Sequence, residues 1–106
     1  MATSRPPKLK NVEKTVARHL AERKIRFSLH ARKRLNERDI TRFEAMEILE
    51  TGRREPGKDE FKDTYRAWTY AYRGKTSHER RNLRIAVAIA SDNTIVVTTI
   101  VLDSEE

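Results

Sequence analysis

His30, Arg34 and Arg38 stand four residues apart in the stretch FSLHARKRLNERDIT, residues 27–41. An imidazole titrates near neutral pH, and the planar fork of a guanidinium matches the oxygens of a phosphate. With several tyrosines, Arg66, Arg84 and the threonines Thr98 and Thr99 of the last predicted strand, they form a set that could cut RNA without a metal. That reaction needs a base to take the 2′-hydroxyl proton, positive charge on the pentavalent phosphate, and a proton for the departing 5′-oxygen.

Each residue also has a plainer reading. A lone histidine beside an apolar stripe can pack or cap, and Arg34 and Arg38 can pair with Glu37 or Asp39 along their own helix. Trp68, Tyr70 and Tyr72 at strand spacing suit a core or sheet surface as well as a base-stacking platform. Arg84 interrupts an apolar strand, and its desolvation calls for an anion: a salt bridge with Asp63 or Glu60, or a phosphate. Other chemistries are excluded by residue type. The chain has no cysteine, no Gly-rich phosphate loop and no zinc-peptidase motif, and His19, His30 and His78 are too scattered to predict a metal. No cofactor is expected.

Charge adds a partner class. Residues 1–54 hold 15 Lys and Arg against 7 Asp and Glu, and residues 55–106 hold 8 against 9, so the total of +7 lies in the first half. Lys and Arg that neutralise phosphates release condensed counterions, so nucleic acid leads the anionic partners, ahead of an acidic protein or an anionic membrane surface. No apolar stretch of signal or membrane-spanning length follows Met1, which makes a soluble, cytoplasmic protein without a membrane partner the expectation.

The elements that must position these residues follow from periodicity. Residues 1–10 read as a disordered basic arm and residues 11–103 as one domain. Asn11 is a candidate N-cap for a helix over 11–24 with Val12, Val16, Leu20 and His19 on a narrow stripe. Ser28 caps a second helix over 29–38, with Ala31 and Leu35 on one face. Thr41 and Glu44 make a capping box for a third, which carries Ala45, Met46, Ile48 and Leu49 and closes at Gly52. The period then falls to two: 65–73, 82–90 and 94–102 read as strands, the last pair a hairpin around Ser91–Asn93, with a further short strand near 53–55 or 60–64. Helices followed by strands predict an α+β fold, with N-terminal helices packed on one face of a three- or four-stranded antiparallel sheet and the other face partly open.

Phe27, Ser28, His30, Ala31, Arg34, Leu35, Arg38, Ile40 and Thr41, with Gly52, a tyrosine-bearing strand and the closing IVVTTIV strand, give residues 25–102 a resemblance to domain-of-unknown-function family 4258. That family looks like a relative of the RelE, ParE and BrnT toxins. The resemblance implies a RelE-like sheet fold, metal-independent RNA cleavage and a cognate antitoxin. It also admits a different action, because ParE-like relatives bind a topoisomerase. Carried over by position, the motif histidine is His30, the motif arginines are Arg34 and Arg38, the strand tyrosine is Tyr70 or Tyr65, and the basic residue of the next strand is Arg84. An N-terminal helix with its arm and the long charged loop 73–81 depart from the pattern.

The leading expectation is therefore a toxin-type endoribonuclease. His30 acts as base or acid, Arg34 and Arg84 hold the phosphate, and Tyr70 orients or donates a proton. Arg32, Lys33, Arg38, Arg66, Arg80 and Arg81 contact RNA, free or on the ribosome. The alternatives are a non-catalytic RNA-, DNA- or ribosome-binding module and a toxin-like domain that binds an acidic protein such as an antitoxin.

Overall fold

In the computed structural model, the described residues are 6–64, 66–77 and 80–102. Helix α1 spans Val12–Ala21, followed by strand β1 (Ile25–Phe27), helix α2 (Leu29–Glu37) and helix α3 (Arg42–Thr51). Then come β2 (Arg53–Arg54), a 3-10 turn (Pro56–Lys58), β3 (Glu60–Lys62), β4 (Ala67–Lys75), β5 (Asn82–Ile89) and β6 (Ile95–Leu102). The Ser28 side chain accepts from Ala31 N at the start of α2, and at α3 Thr41 and Glu44 complete a reciprocal capping box. Asn11 occupies the N-cap of α1, yet its side chain makes no capping bond.

The fold is α+β, but the sheet has six strands rather than three or four, in the order β1-β6-β5-β4-β2 with β3 also on β4. It is mixed rather than wholly antiparallel, because β1 runs parallel to β6 through the pair Ile25↔Ile95. The extra strands have two or three residues each, too few to show an alternation, and pairing with distant strands creates them. Both candidate positions for a further short strand are used. β2 and β3 run antiparallel along β4, separated by the turn at Pro56, where a residue without an N–H suits an edge.

One face of the sheet is the core. Tyr70 and Tyr72 of β4, Leu83, Ile85 and Val87 of β5, and Ile95, Val97 and Ile100 of β6 pack against Val16 and Leu20 of α1, Ala31 and Leu35 of α2, and Ala45, Ile48 and Leu49 of α3. Burying each large aliphatic side chain contributes roughly 1.5–3 kcal/mol. His19 joins this side, fully buried, with Nδ1 donating to Thr15 O at 2.7 Å. The alternate residues, Ala67, Thr69, Ala71 and Arg73, then Arg84, Ala86 and Ala88, lie on the opposite face, which carries no α-helix among the described residues. A bulge between Ala86 and Val87 leaves Thr98 extra on β6, and its hydroxyl donates to Ala86 O at 3.2 Å. No helix among the described residues is long and apolar enough to cross a membrane.

Candidate nucleic-acid interface

α2 continues the path of β1 along the outer edge of β6. β1 pairs with β6 up to Val97, Ser28 N then donates to Val97 O, and one helical turn beyond His30 the Arg34 Nε donates to Ile100 O at 3.3 Å. A short side chain at residue 31 and a leucine at 35 let the helix sit this close to the strand. The two flanks of α2 then face different ways. Arg32 lines a hollow with Ile25, Phe27, Arg42 and Met46, on the side of α3. His30 and Arg34, four residues apart, share the other flank, and Ser28 at the helix start lines a second hollow with Thr98, Val96 and Ala88.

The helix-free face is a trough. Its floor carries Thr69, Ala71, Arg84, Ala86, Thr99 and Val101, and α2 lies along the β6 edge that bounds it. The other wall is the 3-10 turn with β3, where Lys58, Glu60 and Lys62 border a hollow of about 250 Å³ shared with Thr69, Ala71, Arg84, Ala86, Thr99 and Val101. Register fixes the level of the arginines: Arg84 pairs with Val101, next to the Ile100 carbonyl that Arg34 holds. Arg34 and Arg84 thus flank β6 at one height, with His30 one helical turn along.

Arg84 has a carboxylate partner, but it is Glu55 rather than Asp63 or Glu60. Its Nε donates to Glu55 Oε1 at 2.7 Å, and Arg73 Nη1 reaches Glu55 Oε2 at 3.3 Å. The bond from Arg84 holds the Glu55 carboxyl below the usual range against the opposing effect of burial, with help from Arg73, so Glu55 is an anion at neutral pH. Glu55 thus joins the guanidiniums of β4 and β5 across the sheet.

Tyr70 is not brought to this trough. It is buried on the helix side, its hydroxyl accepts from Leu9 N at 3.0 Å, and the Arg54 guanidinium lies 5.5 Å from its ring centre. Trp68 lies on the same side, with Nε1 donating to Pro6 O at 2.7 Å. The alternative tyrosine, Tyr65, falls outside the described residues, as do His78 and the first five residues of the basic arm. The described part of that arm lies along Trp68 and the turn, where Lys8 Nζ reaches Asp59 Oδ2 at 3.0 Å.

The residues expected along an RNA path are likewise divided. Lys33 and Arg38 are exposed on α2, Arg66 and Arg80 are exposed in turns with left-handed backbones, and Arg32 lines the hollow on the α3 side. Arg81 is a clamp. It donates to Arg38 O, Asp39 O and both oxygens of Glu44, tying the end of α2 to the start of α3. Arg34 also lies 3.8 Å from Glu37, the intrahelical pairing its spacing allows. Sequence reasoning missed Glu55, Lys58 and Lys62. The alternation that marks long strands could not reach them, since the turn at Pro56 breaks their segment.

The sequence profile described as Domain of unknown function (DUF4258) matches residues 27–101. The chain belongs to this family. The matched span contains α2, α3 and β2 to β6, hence the whole trough, while α1 and the arm precede it. No curated protein and no solved structure matches the chain. Among the described residues no group of three or more His, Cys, Asp or Glu side chains could hold a metal.

Proposed function

We propose that this chain is a small endoribonuclease of toxin type that binds single-stranded RNA in the trough between α2 and the turn–β3 wall. What supports the reading is that Arg34, held on Ile100 O, and Arg84, paired with Val101, lie at one level of β6, with His30 one helical turn before Arg34 on α2. His30 takes the proton of a ribose 2′-hydroxyl, and the freed oxygen attacks the adjacent phosphorus. Arg34 and Arg84 stabilise the charge on the pentavalent phosphate. The bond to the 5′-oxygen breaks, that oxygen takes its proton from water, and a 2′,3′-cyclic phosphate remains. Tyr70, on the other side of the sheet, has no part in this scheme. The RelE-like toxins, which cut RNA without a metal, are the relatives this reading extends from.

A specific feature favours a second reading: Arg84 and Arg73 are already paired with Glu55, as suits a binding surface that performs no reaction. Incubating wild type and His30→Ala with single-stranded RNA, and analysing the fragment ends, separates the two. Cleavage to cyclic-phosphate ends that His30→Ala slows by roughly 10²-fold or more supports the ribonuclease, the range general acid–base catalysis contributes. Tight binding with intact RNA for both proteins would establish the binding module instead. Growth arrest on expression with no RNA binding would point to an acidic protein target.

A further inference from the structure

We propose that the trough holds one base of the bound RNA in a hollow at its β5–β6 hairpin end, and that this hollow sets base preference; the inference rests on the trough being the RNA site. The hollow measures about 420 Å³ and is lined by Ser28, Ala67, Ala88, Ile89, Ala90, Ser91, Val96 and Thr98. Its volume falls in the range of roughly 300–1,000 Å³ usual for small-ligand sites. The walls are apolar, with hydroxyls at Ser28, Ser91 and Thr98. A flat heteroaromatic ring with polar edges fits such a lining: its faces rest on Ala88, Ile89 and Val96, and its edge meets the hydroxyls.

Position and charge decide for a nucleotide over an apolar ligand. The hollow begins at Ser28, two residues before His30, and its opposite side at Ala67 pairs with Lys62 of β3. A base seated there places its own phosphate between α2 and Lys62, at the head of the line running to Arg34 and Arg84. Small side chains at 67, 86 and 88 on adjacent strands keep the floor low, where larger residues at the same register would fill it. The hydroxyls retain accepting capacity: Thr98 Oγ1 donates to Ala86 O, and Ser28 Oγ, which donates to Thr98 O and accepts from Ala31 N, keeps one acceptor site. A base that offers an exocyclic amino group is therefore favoured.

The test measures binding of fluorescent ten-nucleotide homopolymers of A, C, G and U to wild type, Ala88→Leu and Ser91→Trp. Ala88 is buried and its enlargement could disturb folding, whereas Ser91 lies exposed in the hairpin turn, so Ser91→Trp blocks the mouth without touching the core. The expected result is that wild type binds U, the one base of the four without an exocyclic amino group, at least tenfold more weakly than its preferred oligomer, a difference that Ser91→Trp reduces to near equality while U is bound as before. His30→Ala keeps the preference. Wild type that binds all four alike, or a preference that survives Ser91→Trp, overturns the base site while leaving the RNA reading intact. No RNA binding by wild type overturns both, and capture of an acidic peptide that Ser91→Trp abolishes would assign the hollow to a protein.

Discussion

At the scale of single residues, Asp59 is the carboxylate with the most donors among the described residues, between Lys58 and Glu60 of the trough wall. Its side chain is fully buried and accepts two bonds from Arg54, at 2.9 and 2.7 Å, one from Ala71 N at 2.8 Å and one from Lys8 at 3.0 Å. Burial alone would raise its pKa, but these donors outweigh it and hold the carboxyl below its ordinary value of 3.8. The unfolded chain therefore binds protons more readily, so Asp59 stabilises the fold above that ordinary value and the contribution is lost as pH falls through the folded value. Asp59→Asn leaves the Arg54 guanidinium buried beside a neutral amide, and the expected loss is about 3 kcal/mol at neutral pH by urea unfolding. The variant's stability should also fall less steeply on acidification than that of wild type. An unchanged acid limb would show that Glu55, held below its ordinary value by Arg84, and Glu44, held below it by the Thr41 backbone N–H and then Arg81, carry the dependence. Tyr72 is the converse case. Its hydroxyl is buried with no hydrogen-bond partner among the described residues, and burial pushes its pKa up to about 12. Tyr72→Phe removes an unsatisfied polar group, so its unfolding midpoint should equal or exceed that of wild type, by up to about 1 kcal/mol. A clear loss would mean that the hydroxyl has a partner.

At the scale of elements, the long periodic segments were legible and the contacts between them were not. α3 showed its capping box and apolar face, and β4, β5 and β6 showed their alternation, because each pattern repeats within its own segment. The trough depends instead on where segments meet. That β1 is parallel to β6, that α2 seals the β6 edge, and that Glu55 rather than Glu60 meets Arg84 all rest on pairings between residues far apart in the chain. Tyr70 shows the cost of reading one strand at a time: its type suggested chemistry, while its parity with Trp68 and Tyr72 placed it in the core. Gly52 was legible as a helix end, but for a different physical reason. Its φ of −76° suits any residue. A β-carbon there would lie 2.5 Å from Ile48 O and 2.7 Å from Arg73 O, whereas one at Gly74 on β4 would meet Gly52 Cα at 3.1 Å and Ile48 Cδ1 at 3.2 Å, a tight but yielding contact. The bare backbones let α3 turn directly into β2 against β4, which brings Glu55 to the two arginines. Gly52→Ala must push rigid backbone apart, so a loss of about 3 kcal/mol or more is expected by thermal or urea unfolding, at the upper end of overpacking costs. A variant as stable as wild type would mean that the α3–β4 junction yields easily.

At the scale of the whole molecule, the question is which basic surface meets the polyanion, and two flank α2 and the sheet. The trough offers Arg34, Lys58, Lys62 and Arg84. The hollow on the α3 side offers Arg26, Arg32 and Arg42, with Arg42 5.7 Å from the Phe27 ring centre and Phe43 exposed beside it. Salt dependence distinguishes them, because each phosphate neutralised on a single strand adds about −0.7 to the slope of log affinity against log salt. Four trough cations engaging phosphates give an expected slope near −3 by the same relation. Lys62→Ala should then bring the slope closer to zero by about 0.7, while Arg42→Ala leaves it as in wild type. If Arg42→Ala and Arg32→Ala flatten the slope and Lys62→Ala does not, the RNA lies across the α3 side. His30 would then be on the far flank of α2 from the phosphates, and the proposed cleavage chemistry would fail with it.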